Sequence, residues 1–315
     1  MLQRLLFSIL LQLIPFVSGR CSDPTVTDID MSNLGISEIN ESLFQNCNPQ
    51  AYSLDLSGNK ITLINATAFA FYDDSIHKYI PLFYQLETLN LNDNNMISVD
   101  PNAFKYTKVL NTLYIRNNQL KVIESGVFDL IGDTLVSLVM ANNQISSIGM
   151  SVFHTNLRKL RYVDLSHNKM TYMEAWPYIP PSIILFNLSH NDVNKFTNNL
   201  NWTYDLAEPY STYVDLMYNN FTEWDNEWFR RYQNHKGNYA FELTNYRLEL
   251  KNNPWICDCH MYYIISTIQE SFYRFADSEF IHIECEHPAN LRRKRIIDVD
   301  LSTFVCDSHV NFPFG

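Results

Sequence analysis

The stretch Leu113-Tyr114-Ile115-Arg116-Asn117-Asn118-Gln119-Leu120, followed by Ile123 and Phe128, returns 25 residues later as Leu138-Val139-Met140-Ala141-Asn142-Asn143-Gln144-Ile145, followed by Ile148 and Phe153. Alternate residues of a strand point to opposite faces, so Leu113 and Ile115 are expected inside and Tyr114 outside. The asparagine falls where the chain must leave the strand and turn within the coil. Its amide can satisfy backbone groups that would otherwise be buried unpaired.

Working outward from this pair, the same apolar-x-apolar…Asn pattern begins at Leu54, Leu89, Val163, Phe186, Val214 and Leu248, with asparagines at Asn59, Asn94, Asn168, Asn191, Asn219 and Asn253. Between Asn94 and Asn168 the steps are 24, 25 and 25 residues. That period and the L-x-x-L-x-L-x-x-N-x-L signature define a leucine-rich repeat. A single repeat cannot bury its apolar face, and stacked neighbours supply the missing wall. The sequence therefore predicts an α/β leucine-rich-repeat solenoid, a right-handed coil with parallel strands on the concave face. At about 4.8 Å per strand, eight repeats give a strand face of roughly 34 Å.

Two steps are long, Asn59 to Asn94 and Asn219 to Asn253, and each leaves room for an insertion, near 70–85 and 222–244. The expected organisation is a leader over 1–19, an N-terminal cap and degenerate first repeat over 20–50, about eight repeats over 51–252, a C-terminal cap over 253–307 and a tail over 308–315. In the second insertion Trp224, Trp228 and Phe229 are expected to pack on the convex side. Both insertions should form loops off the solenoid body.

The leader expectation rests on Arg4, an apolar run from Leu5 to Val17 and small residues at Ser18 and Gly19. That run is too short to span a bilayer, which needs roughly 20 residues. The next most apolar run, Met261 to Ile268, is shorter still, so neither a transmembrane segment nor a lipid-anchor tail is expected. Asn-x-Ser/Thr sequons at Asn40, Asn65, Asn187, Asn201 and Asn220 fit the same secretory route. A formal charge of -11 disfavours nucleic acid and anionic membrane as main partners.

The six cysteines lie only at the ends, Cys21 and Cys47 before the repeats and Cys257, Cys259, Cys285 and Cys306 after them. The C-terminal group reads Asn253-Pro254-Trp255-Ile256-Cys257-Asp258-Cys259, then Cys285-Glu286-His287-Pro288-Ala289-Asn290-Leu291-Arg292-Arg293-Lys294, then Cys306. With the repeats, this resembles the leucine-rich-repeat family with cysteine-rich flanking caps, the kind seen in Toll-type receptors, Slit-like guidance proteins and lamprey variable lymphocyte receptors. The resemblance implies disulfides Cys257–Cys285 and Cys259–Cys306 and leaves Cys21 with Cys47. It departs at the N-terminal cap, which usually holds four cysteines and here holds two.

Cys257-x-Cys259 with His260, Cys285 and His287 could be drawn as a zinc site, but cysteines on the secretory route are expected to be oxidised. Asp164, Ser166 and His167 lack a nucleophile elbow and are expected to be exposed polar residues of the strand face. Neither an enzyme nor a cofactor is expected. The run Arg292-Arg293-Lys294-Arg295 is expected to be a structured cap segment that could touch an acidic partner or a glycosaminoglycan.

Outward side chains of the strands form the expected binding surface, because solenoids bind through extended concave faces. Tyr and Arg most often dominate interface energy. The candidate contacts are Tyr114, Arg116, Arg161, Tyr162, Asp164 and His167, with Val139, Ala141, Ser189, Asp215 and Glu249 also expected on that face. Asn187 sits at an outward position, so a glycan there would project from the sheet and confine a protein partner to repeats two to five. The function expected is a secreted binding protein that recognises an extracellular or cell-surface protein. The alternatives are a self-associating matrix component and recognition of microbial ligands.

Overall fold

The computed structural model describes residues 21, 23–149, 152–153, 157–172, 182–195, 212–223, 246–270 and 282–304. The expected leader, Asn201, Trp224, Trp228, Phe229, Cys306 and the tail lie outside the described residues.

Nine short strands, Asp28–Asp30, Ser53–Asp55, Thr88–Asn90, Thr112–Tyr114, Ser137–Val139, Tyr162–Asp164, Leu185–Asn187, Thr212–Asp215 and Tyr246–Glu249, pair in chain order into one parallel sheet. Their register is unbroken: Ile29, Leu54, Leu89, Leu113, Leu138, Val163, Phe186, Val214 and Leu248 lie side by side. All but Leu248, whose side chain lies outside the description, are essentially inaccessible to solvent. Each apolar-x-apolar triplet thus faces a single core that runs the length of the coil.

The sheet has one strand more than the asparagine alignment yields. In the first repeat Leu34 stands where later repeats carry the asparagine; the Ile36 amide donates to Oδ1 of Asn59 at 3.0 Å, as Ile61 does to Asn94, and the Leu34 amide adds a second bond to the same oxygen at 2.9 Å. With leucine in place of its own asparagine, the degenerate repeat does not show in the asparagine pattern.

Behind the sheet, Leu63–Ile64 pairs with Ser98–Val99 and Val122–Ile123 with Ser147–Ile148, again in parallel. Phe69, Phe104, Phe128 and Phe153 are fully buried. Phe104 and Phe128 stack with centroids 6.1 Å apart. Among the described residues the α-helix is confined to the C-terminal cap, at Tyr262–Glu270. The insertion near 70–85, expected as a loop, is a β-hairpin: Ala70–Asp73 pairs antiparallel with Lys78–Pro81. Aromatic residues on both arms and Ile80 on the second favour strand pairing, and Asp73 holds the turn through the Ser75 amide at 2.9 Å.

The ends are closed differently. Cys21 is bonded to Cys47 and is buried in the same core as Ile29 and Phe44. At the other end Trp255 is fully buried, stacks on Phe221 at 6.0 Å, and donates from Nε1 to the Leu250 carbonyl at 3.1 Å. Cys257 is bonded to Cys285, and Cys259 is also disulfide-bonded. The basic run folds onto this bridge: the Arg293 amide donates to the Cys285 carbonyl, Arg292 pairs with Glu286, and Arg295 pairs with Asp298.

Eight asparagines, Asn59, Asn94, Asn118, Asn143, Asn168, Asn191, Asn219 and Asn253, are buried in a row. At Asn143, Nδ2 donates to the carbonyls of Met140 and Ala141 in its own repeat and of Ile115 in the repeat before, while Oδ1 accepts from the Leu120 amide. Removing such an amide leaves buried backbone groups unpaired, each costing about 1–3 kcal/mol. Asn143→Ala is expected to destabilise the solenoid by about 3 kcal/mol or more, read as a lower urea midpoint, whereas Asn142→Gly at the exposed positive-φ position beside it should change the midpoint little.

Candidate functional site

The residue between each buried pair points out of the sheet. In register these are Asp30, Asp55, Asn90, Tyr114, Val139, Asp164, Asn187, Asp215 and Glu249. A second row precedes the buried residue and contains Thr112, Ser137, Tyr162, Leu185 and Tyr213. Tyr114 therefore lies between Asn90 and Val139, and Tyr162 lies between Ser137 and Leu185. Tyr162 is 44% exposed.

Several outward positions are tied down by turns. Asp164 Oδ1 accepts from the Ser166 amide at 3.0 Å and from its hydroxyl at 2.7 Å. The same arrangement holds Asn187 to Ser189, at 3.0 and 2.8 Å. Asn92 Oδ1 accepts from the Arg116 amide at 2.7 Å, which fixes the start of the turn that carries Arg116.

Of the sequence-derived contacts, Arg116, Asp164 and His167 come within electrostatic reach of one another, since the charges of both Asp164 and Arg116 act on the His167 ring. Tyr114 is two strands away from Asp164, with Val139 between them. Arg161 is half-buried, its guanidinium near the Ser182 carbonyl at 3.5 Å.

Four residues expected on the open face are buried: Ala141, Ser166, Ser189 and Glu249. For the first three the reason is local, because the chain bends inward two residues past the outward strand position to bring the ladder asparagine into the core. A small side chain fits that bend, and the serine hydroxyls fold back onto the preceding carboxylate or amide. Glu249 is held by Lys251, whose backbone amide and Nζ both lie 3.3 Å from the carboxylate. Tyr246 and Arg247 belong to the last strand, and their side chains lie outside the description.

Two residues of the face escape a search for interface types on the strands. The residue immediately before each ladder asparagine has positive φ: Gly58, Asp93, Asn117, Asn142, His167, His190, Tyr218 and Asn252. Asparagine and aspartate tolerate this region comparatively well, and at Gly58 the absence of a Cβ leaves room for the Asn33 side chain, whose Oδ1 lies where that carbon would be. At three successive repeats the position is aromatic. His167 stacks on His190 with centroids 4.1 Å apart and His190 on Tyr218 at 4.3 Å, with interplanar angles of 10° in both. All three are exposed. Alignment of the repeats on asparagine places them in one column, and that is the signal that could have found them.

This region is electrostatically distinct. Burial, then the neighbouring His190 charge, lowers the His167 pKa from its ordinary 6.5, and Arg116 adds to the effect against Asp164. Burial raises the Asp215 carboxyl, with Asp164 adding to it, while the Met217 amide and His190 work in the opposite sense. Among the described residues no group of three or more His, Cys, Asp or Glu side chains is placed to hold a metal, and no helix is long and apolar enough to cross a membrane. Of the candidate glycan acceptors, Asn40, Asn65 and Asn220 are exposed and Asn187 is half-buried.

A leucine-rich-repeat family model matches residues 85–131 and 133–193, and a BspA-type leucine-rich-repeat model matches residues 21–92. The chain is a leucine-rich-repeat protein, a parallel solenoid with disulfide-bonded caps. It is 22% identical over 274 residues to trophoblast glycoprotein of Macaca fascicularis, covering 81% of this chain and 60% of that protein. It is 27% identical over 143 residues to Tsukushi of Rattus norvegicus, covering 44% and 37%. It is 32% identical over 122 residues to human leucine-rich repeats and immunoglobulin-like domains protein 3, covering 39% and 10%. The chain thus spans from a tenth to three fifths of these relatives. Its fold is similar to that of human 5T4 (TM-score 0.66, 20% identity, 90% of this chain and 97% of that one). It is also similar to a chain in the complex of Latrophilin 3, Unc5D and FLRT2 (TM-score 0.57, 18% identity, 86% and 80%).

The Asp215 carboxylate is charged at neutral pH at a cost from its surroundings, and that cost fades as the folded protein takes up the proton above the unfolded value of 3.8. Asp215→Asn keeps an acceptor for the Met217 amide. It is expected to raise the urea midpoint at pH 7.5, with the gain shrinking toward pH 4.

Proposed function

We propose that this chain is a secreted recognition protein that binds an extracellular or cell-surface protein through its concave strand face, with no catalytic role. The observation that carries this reading is the open face of the nine-stranded sheet, whose two rows present half-buried Tyr114 and Val139 and exposed Tyr162, with Asp164 in the first row and Arg116 in the turn after Tyr114. At about 4.8 Å per strand the sheet is roughly 38 Å long, a dimension suited to a protein surface. Aromatic anchors among mixed charges are the composition from which interface energy most often comes.

Two structurally similar chains belong to protein assemblies, Latrophilin 3 with Unc5D and FLRT2, and Toll with Spatzle. This favours a protein as the partner here. Trophoblast glycoprotein, Tsukushi and lumican are among the chain's relatives. Entry to the secretory route rests on the leader over residues 1–19 and on the oxidised cysteines at both ends. Contacts are assigned to Tyr114, Arg116, Arg161, Tyr162, Asp164 and His167, on repeats two to five. A glycan on Asn187 closes the sixth repeat to the partner.

A cell-surface binding screen with the mature protein tests this. Saturable binding is expected, and Tyr114→Ala with Tyr162→Ala should weaken it by about 30-fold or more if both are interface anchors. Asn187→Gln should leave the affinity nearly unchanged. Binding that survives the tyrosine double variant would move the contact to a cap or to the convex side, and no saturable binding at all would sink the protein-recognition reading.

A further inference from the structure

The stacked column His167–His190–Tyr218 stands beside the row Asp164–Asn187–Asp215, on the same three repeats. Asn187 lies in register between the two carboxylates. Its Oδ1 is taken by the Ser189 amide and hydroxyl, while Nδ2, the atom that would carry a glycan, has no partner among the described residues. Asp164 and Asp215 likewise use Oδ1 on local turn amides, and their other oxygens have no partner among the described residues.

Because the three rings are nearly parallel, each inner face is covered by its neighbour. What the column offers a ligand is its edges: the ring nitrogens of two imidazoles and a phenol hydroxyl, with ring centroids 4.1 and 4.3 Å apart. An imidazole nitrogen either donates or accepts, and a phenol does both. Two free carboxylate oxygens on the adjoining row add acceptors. A closely spaced set of donors and acceptors on rigid supports matches the hydroxyls and acetamide of a sugar better than an apolar side chain.

We propose that this column and its two carboxylates form a carbohydrate-binding strip whose occupant is the first N-acetylhexosamine of the protein's own glycan, attached at Asn187. The strip holds the sugar down along the ring edges of repeats five to seven. The glycan then forms a fixed wall at the end of the open face rather than a mobile chain, and it meets Asp164 and His167 only on the side toward Asn187, so that their side toward Val139 and Arg116 stays open to the protein partner. This deepens the reading under Proposed function and rests on its secretory route, since the glycan is added there.

The test is native-state release by peptide N-glycosidase on the full chain made in secretory cells, with each acceptor followed by mass. Release at Asn187 should be at least tenfold slower than at Asn65, which is exposed. The triple variant His167→Asn, His190→Asn and Tyr218→Asn should bring the Asn187 rate to within about threefold of the Asn65 rate. Asparagine already occupies this column with the same positive φ at Asn117, Asn142 and Asn252, so the backbone is undisturbed. Tyr218→Phe, which removes only the hydroxyl, should speed release by a smaller factor, and an unaltered Asn65 rate certifies the fold of each variant. The proposal is overturned if Asn187 is unoccupied while Asn40 and Asn65 carry glycans, if it is released as fast as Asn65, or if the triple variant leaves it slow. Absence of glycan at every acceptor would instead sink the secretory reading.

Discussion

The buried carboxamide of the ladder asparagine is the interaction on which this structure depends. A strand of three or four residues forms few ladder hydrogen bonds, and the turn after it leaves carbonyls and an amide inside the coil with no strand to pair them. Asn143 reaches back to Ile115 and Leu120 in the preceding repeat as well as to Met140 and Ala141 in its own. Each such side chain both closes its turn and fixes its repeat to the one before. The apolar core supplies attraction without direction; the amides supply the register.

That register places function as well as fold. Because every strand is aligned with the next, one side chain per repeat falls into each outward row, and a residue's place on the face follows from its count relative to the asparagine. Tyr114, Asp164 and Asp215 share a row for this reason. The ring column follows from the same rule one step before the asparagine, where a left-handed backbone conformation directs three successive side chains alike. Their stacking is the meeting of parallel repeats at near strand spacing.

The caps solve a different problem. A repeat array has two apolar ends, and covering them needs side chains that the repeat itself does not provide. At one end a disulfide joins the chain across a repeat that lacks its own asparagine; at the other an indole lies over the last layer of the core beside a second disulfide. Oxidised cysteines are concentrated where stacking stops, because only there is one side of the core without a neighbouring repeat.

The sequence by itself determined the solenoid, its parallel strands, the buried asparagines and the side of each strand that looks outward, because these follow from short periodicities that one repeat states and the next restates. It also located the caps through the positions of Cys21, Cys47, Cys257 and Cys285. Tertiary structure decided what periodicity cannot express. The burial of Ala141, Ser166, Ser189 and Glu249 depends on how the chain bends after the strand and on what lies against it. The hairpin at Ala70–Pro81 depends on pairing between residues outside the repeat pattern. The stack of His167, His190 and Tyr218 depends on the separation of three repeats in space, and sequence spacing becomes spatial spacing only once the coil has closed.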